Sequence, residues 1–192
     1  MTDRLSAILN FIEAIEPFKK VERATYLSDL SRHESDSDHT WHMAMLAILL
    51  HNQLAFELDL QKVLILVLIH DLCEIYAGDT FVHSPEHGNH EAEQRAVEKL
   101  FSLLPADLEE SFFDHWKEFT FGNSPEAQFA RALDRLQGLA QNVFSFGRVW
   151  KEYGVTEGMV RELNQKAMAF DPILMEVFER LYQRADQEKL WT

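Results

Sequence analysis

The chain has 192 residues, 46% of them hydrophobic, with only 7 Gly and 5 Pro, a composition that suits one compact domain with a full core. Its 18 basic and 32 acidic residues leave a formal charge of -14, which opposes binding to a nucleic-acid backbone or to anionic lipid but not to a small anion delivered to a metal. One cysteine, Cys73, excludes an internal disulfide framework and fits a reducing compartment, so a cytoplasmic location is expected.

The start Met1-Thr2-Asp3-Arg4 reads as lacking a signal peptide, and every apolar run falls well short of the roughly 20 residues a membrane helix needs. Leu5, Ile8, Leu9, Ile12 and Ile15 share one face of a helix that Pro17 stops. A charged, Ser-rich stretch from Phe18 to Ser37 leads into a helix from about Asp38 to Leu58, with Met45, Leu46, Leu49 and Leu50 facing inward. The segment from about Leu60 to Ala77 is apolar nearly all round, which predicts a central buried helix ending at Gly78. Residues 80–89, with Pro85, Gly88 and nearby histidines, read as a loop. Helical spacing resumes over Glu91–Leu104 and Ala106–Phe121. Ser124-Pro125 opens a long helix to Tyr153, bent at Gly138 or Gly147, and shorter helices follow near Thr156–Ala169 and from Asp171-Pro172 to Leu190. No strand pattern and no fixed-period repeat is evident. The expected fold is an all-α, single-domain helical bundle of about seven to nine helices.

The chemistry centres on His70-Asp71, which closes the apolar run Val63–Ile69 and is followed by Glu74 and Asp79. Burying an imidazole beside a carboxylate costs several kcal/mol unless something compensates, and a bound divalent ion is the commonest compensation for these residue types, a satisfied polar pair on a core helix being the alternative. One helix would place Glu74 on the same side as the pair. Two ligands are too few for a metal, and His39 and Asp134 are the candidates on neighbouring apolar helices. Two imidazoles and two carboxylates make a mixed N/O site that suits Mn, Co, Fe, Ni or Zn better than Mg.

The order His39, His70-Asp71, Asp134 resembles the signature of the HD-domain metal-dependent phosphohydrolases. His70-Asp71-Leu72-Cys73-Glu74-Ile75-Tyr76-Ala77-Gly78-Asp79 and Glu34–His39 are similar to the 5'-deoxynucleotidase-like branch, as are Glu126–Asp134 and the segment around Trp116–Phe119. The resemblance implies one HD-type domain over residues 1–192, with core motifs in 18–155 and the helices of 156–190 packed on them. It further implies one divalent metal on His39, His70, Asp71 and Asp134, with Glu74 as the acid/base and Asp79 against the sugar or leaving oxygen. Arg23 would bind phosphate. The expected activity is hydrolysis of nucleoside or deoxynucleoside 5'-monophosphates to nucleoside and phosphate, by a homodimer with a small-molecule nucleotide as its partner and no nucleic-acid polymer or membrane. The chain departs from that branch where an aromatic ring follows the arginine, since Ala24-Thr25-Tyr26 follows Arg23 here and sugar selection stays open.

Rival readings of the same residues are a phosphodiesterase or pyrophosphohydrolase acting on a cyclic nucleotide or alarmone, and a non-catalytic nucleotide-sensing helical module. Histidines that a second metal would need have no convincing place on the helices. His42 shares a face with His39 as a packed or supporting imidazole, His83, His87 and His90 read as a solvated loop cluster, and Cys73 reads as a small core residue.

Overall fold

The computed structural model describes residues 3–84 and 90–191. Helix α1 (Arg4–Ala14) forms as its spacing predicts, but Leu5, Leu9 and Ile12 are exposed. The helix is anchored instead by Phe11, which packs edge-on against Phe112 and tilted on Phe101. A 3-10 turn (Glu16–Lys20) around Pro17 leads into two short strands, β1 (Glu22–Tyr26) and β2 (His33–Ser35). They pair antiparallel, Glu22 opposite Ser35 and Tyr26 opposite His33, with an irregularity between. This hairpin corrects the expectation of no strands. Its strands are too short and polar to show a clear period of two, so pairing and burial against the helices hold it.

Helix α2 (Asp36–Leu50) starts at Ser35, whose hydroxyl accepts from the Asp38 N–H while Asp38 accepts from the Ser35 N–H. It buries His39, Thr40, Met43 and Ala47, whereas Leu49 is exposed, correcting the expected inward face. The helix also stops well before Leu58. Beyond a 3-10 turn (His51–Gln53), the Ala55 N–H is taken by the buried Asp171 carboxylate at 2.9 Å, so a tertiary acceptor replaces the next helical bond.

Helix α3 (Leu60–Ile69), capped by Asp59, buries Val63, Leu66, Val67 and Ile69 but exposes Leu68. The expected single helix to Ala77 breaks after Ile69 into tight turns, with Leu72 N bonded to Ile69 O and Glu74 N to Asp71 O, before the one-turn helix α4 (Glu74–Ala77). The chain continues through α5 (His90–Phe101), α6 (Ala106–Phe121), α7 (Pro125–Phe144), α8 (Arg148–Tyr153), α9 (Glu157–Met168) and α10 (Pro172–Gln187). Ser124 caps α7 with Pro125 behind it, and Asp171-Pro172 does the same for α10. Gly138 lies within α7, whereas Gly147 ends the segment before α8 with φ of 64°, a left-handed turn that glycine adopts without a Cβ clash.

One hydrophobic core joins α2, α3, α7, α9 and α10 through Met43, Val67, Leu133 and Phe178, and a second joins α1, α5 and α6 through Phe11, Leu100 and Trp116. Helix α3 borders both. Its C-terminal end, the N-terminal turns of α2 and the middle of α7 meet beside the hairpin, and the candidate site lies there. Among the described residues no helix is long and apolar enough to cross a membrane.

Candidate metal centre

The four expected ligands reach the site from three parts of the chain. His39 stands in the second turn of α2, His70 and Asp71 in the turn that ends α3, and Asp134 on the face of α7 that also buries Ala130, Leu133 and Gln137. His39, His70 and Asp71 bring donor atoms within 4.8 Å of one another. His70 Nε2 is 2.9 Å from Asp71 Oδ2, and His39 Nε2 is 3.8 Å from that same oxygen. Asp134 borders the group through Oδ1, 3.3 Å from His39 Nε2.

The opposite ring nitrogens are occupied. His70 Nδ1–H donates to the Val67 carbonyl at 2.7 Å, and His39 Nδ1–H to Gln137 Oε1 at 2.5 Å. In the neutral ring each Nε2 then presents a lone pair, and each is buried facing carboxylate oxygens without a hydrogen-bond donor of its own, although, against burial, Asp71 raises His70 above the ordinary imidazole value in the ion-free fold. Phe119 covers the His70 ring, with 4.5 Å between ring centroids.

Glu74 does not share the helix face of His70 and Asp71, because the chain turns between them. It joins a second carboxyl group with Asp36 and Asp79. Asp36 is fully buried and was missed in the sequence; its only sequence signal is its place in Glu34-Ser35-Asp36-Ser37-Asp38-His39. Burial, together with the charges of Asp71 and Asp36, pushes Glu74 up to about 12. Asp36 is pushed up to about 6, chiefly by burial and then by Asp71, against a hydrogen bond with Glu74. Asp36 Oδ2 and Glu74 Oε2 have no donor, and one shared proton would satisfy both.

Arg23 bridges the two groups. Its Nη1 lies 3.1 Å from Asp71, 3.2 Å from Asp36 and 3.6 Å from Asp79. Burial would weaken its proton affinity, yet those carboxylates hold it above the usual arginine value. Burial raises Asp79 in spite of Arg23. Burial opposes ionisation of Asp71 and Asp134 too, but His70 and Arg23 around Asp71, and His39 and Arg135 around Asp134, keep both below the ordinary carboxylate range. Gly78, at φ 77°, turns the chain so that Asp79 enters the cluster.

His42 and the cysteine follow the plain readings, whereas two of the histidines expected in a solvated loop do not: His90 opens α5 and His83 lines the cleft. His42 stacks on Phe144, and His33 donates to the Arg23 carbonyl at 2.9 Å. His90 pairs with Glu93, and His83 packs edge-on against Phe81; His87 lies outside the described residues. Cys73 is buried, and burial pushes its thiol far above the range in which a thiolate acts as nucleophile.

The donor set fits a divalent ion. Two partnerless imidazole nitrogens and two ionised carboxylates converge, separated by 2.9 to 3.8 Å where measured. Donors held at about 2.1 Å from one ion stand roughly 3 Å apart, so the spacing suits a single shell. A cleft opens beside it, lined by Arg23, Asp71, Glu74, Asp79 and Asp134 and walled by Phe81, Leu139 and Trp150.

A family model described as HD domain matches residues 15–172. The chain belongs to the HD domain family. Human 5'-deoxynucleotidase HDDC2 is 29% identical over 138 residues, covering 70% of this chain and 66% of that protein, so the match spans just under two thirds of the relative. The Schizosaccharomyces pombe 5'-deoxynucleotidase hdd1 is 24% identical over 149 residues, 74% of this chain and 73% of its own length. The crystal structure of a predicted metal-dependent phosphohydrolase from Magnetospirillum magnetotacticum MS-1 superposes with a TM-score of 0.91 at 36% identity, covering 98% of this HD chain and 96% of that one. The HD domain family and its all-α architecture are thereby shown.

Proposed function

We propose that this HD protein is a divalent-metal-dependent phosphomonoesterase that hydrolyses nucleoside or deoxynucleoside 5'-monophosphates. One observation carries the proposal. The Nε2 atoms of His39 and His70 converge with Asp71 and Asp134 on the wall of a cleft that also presents the Arg23 cation and the protonated carboxyl of Glu74. The printed names of the HDDC2 relatives support the substrate class. The proposal treats residues 1–192 as one domain.

His39, His70, Asp71 and Asp134 would hold the ion, with Mn, Co, Fe, Ni or Zn suited to the N/O set. When bound, the ion supplies Lewis acidity toward the phosphoryl group and the attacking water. The chain's own residues supply the rest. Arg23 offers its guanidinium to the phosphoryl oxygens. Glu74 holds a proton at neutral pH and donates it to the departing 5'-oxygen, with Asp36 steadying that carboxyl. Asp79 accepts from a sugar hydroxyl, and the apolar wall of Phe81, Leu139 and Trp150 takes the nucleoside. The exposed Trp41, Leu49 and Leu68 support a homodimer, the low content of cysteine supports the cytoplasm, and the charge of -14 keeps polymeric nucleic acid away.

The test is phosphate release from a panel of ribo- and deoxyribonucleoside 5'-monophosphates by metal-stripped protein resupplied with Mn, Co, Zn or Mg. Release that requires metal and is lost in Asp71→Ala establishes the activity and ranks substrates. Metal binding without release from any monophosphate would overturn the monoesterase in favour of phosphodiester or pyrophosphate hydrolysis, or of nucleotide sensing.

A further inference from the structure

The ring of His39 is oriented by a buried chain of hydrogen bonds that leads away from the cleft. Its Nδ1 meets Gln137 Oε1 at 2.5 Å; the other end of that amide, Nε2, donates to Glu34 Oε1 at 2.6 Å; and Glu34 Oε2 accepts from Thr25 Oγ1 at 2.7 Å. Arg23 Nε stands 3.9 Å from that same Glu34 oxygen. His39, Gln137 and Glu34 are each at most 1% exposed, so water does not compete for these bonds.

The direction of the chain follows from what each group can do. A carboxylate has only acceptor atoms, so Glu34 takes the NH2 end of the Gln137 amide and Thr25's hydroxyl hydrogen. The carbonyl end of the amide must then face His39, and a carbonyl accepts only. His39 therefore carries its hydrogen on Nδ1 and presents the lone pair of Nε2 to the site. If the amide were reversed, its NH2 would face Nδ1, the hydrogen would move to Nε2, and the ring could not ligate. On the other side of the ring Asp134 Oδ1 at 3.3 Å and Asp71 Oδ2 at 3.8 Å would draw a hydrogen to Nε2, and the 2.5 Å bond from Nδ1–H to the Gln137 carbonyl is what opposes them.

We propose that Glu34 and Gln137 are positioning residues that set the tautomer of His39, so that a buried carboxylate outside the cleft governs metal affinity. The inference rests on the metal site argued above. Through Glu34 the same chain also reaches β1, which carries Arg23 and Thr25, tying the phosphate-binding strand to the metal ligand. Partners of this kind that orient a ligating imidazole are worth 10- to 100-fold in metal affinity.

The experiment is calorimetric titration of the metal-stripped protein with Zn and with Mn, alongside ring-15N NMR of its histidines, with His39 assigned by its loss in His39→Gln. The expected wild-type spectrum shows His39 protonated on Nδ1. Glu34→Gln frees the Gln137 amide to reverse; it is expected to give a mixed or Nε2-protonated ring and a 10- to 100-fold weaker metal. The double variant Glu34→Gln, Gln137→Glu rebuilds the chain with donor and acceptor exchanged, since the new amide donates to the new carboxylate, which still accepts from Nδ1–H. It is expected to recover most of the lost affinity. A merely structural role predicts no such rescue. Wild-type His39 protonated on Nε2, or a folded Glu34→Gln that binds metal as tightly as wild type, would overturn the proposal even if a variant fails to fold. Wild-type protein that binds neither ion while showing the Nδ1 tautomer would instead overturn the metal site and leave the tautomer assignment upheld.

Discussion

Arg23 Nη1 donates to Asp71 Oδ2 at 3.1 Å, the oxygen that also lies 2.9 Å from His70 Nε2. The residue proposed to grip phosphate and the carboxylate proposed to grip the metal thus share one atom across 48 positions of the chain. An ion held by Asp71 would weaken the hold of that oxygen on the guanidinium. Metal loading would then favour a free donor for the phosphoryl group.

Replacing Arg23 by Gln therefore separates the two roles. Losing a charge-assisted hydrogen bond to phosphate costs about 1.5–3 kcal/mol, so KM is expected to rise by roughly 10- to 100-fold. Metal affinity is expected to hold or to increase, because a competing cation has been removed. Steady-state kinetics and metal titration on the same preparation decide it; weaker metal binding would refute the sharing of Asp71.

Glu74→Gln is expected to be silent in stability and loud in rate. The Glu74 carboxyl is pushed up to about 12, so the wild-type group is already neutral at pH 7 and Gln preserves its charge and shape. Thermal stability should stay within about 0.5 kcal/mol, a typical neutral substitution. Loss of the transferable proton should lower kcat by roughly 10²- to 10⁴-fold with metal content unchanged. Wild-type kcat in this variant would remove Glu74 from the acid role.

Asp36 gives the metal-free protein a distinctive pH dependence. Its pKa in the fold is about 6, above the ordinary value of 3.8, so the folded state binds more protons than the unfolded one between those values. Stability contributed by this group is then complete below about pH 4 and lost as pH rises through 6. Glu74 shifts in the same direction and extends the loss to higher pH. In Asp36→Asn, denaturation midpoints in EDTA should fall less between pH 4 and 6 than in wild type. An equal or steeper fall would contradict the assignment.

Asp171 fastens two distant segments at once, accepting from Ile173 N at 2.8 Å as the cap of α10 and from Ala55 N at 2.9 Å. It is 2% exposed, so removing it takes the acceptor from the part-buried Ala55 N–H and leaves α10 without a cap. Asp171→Ala is expected to cost about 2–4 kcal/mol in urea unfolding, combining the two losses. Metal affinity should be unchanged, since Asp171 does not line the cleft. A loss under about 0.5 kcal/mol would show that water or a neighbour replaces both bonds.

The helical character of this HD chain was legible because amphipathic spacing, caps and proline starts are local. Ser124-Pro125 and Asp171-Pro172 open helices where neighbouring residues alone say they should. The residues proposed as ligands could be singled out as well, because an imidazole beside a carboxylate at the end of an apolar run needs a compensating partner and the order His39, His70-Asp71, Asp134 resembles a known family. Folding brought His39 and Asp134 to that pair. It also did what no spacing announced: it paired two short polar strands, broke the expected helix after Ile69 and moved Glu74 from the face of the ligands to the side of Asp36. Gln137 shows the reason most plainly. On α7 it is one more polar residue near a helix face, and its meaning comes from His39, 98 positions away, and from Glu34, 103 positions away. Local sequence determines backbone propensity and the chemistry each position carries. Which buried donor meets which acceptor is decided only when the whole core closes, because an unmatched polar group is costly there and the match spans the length of the chain.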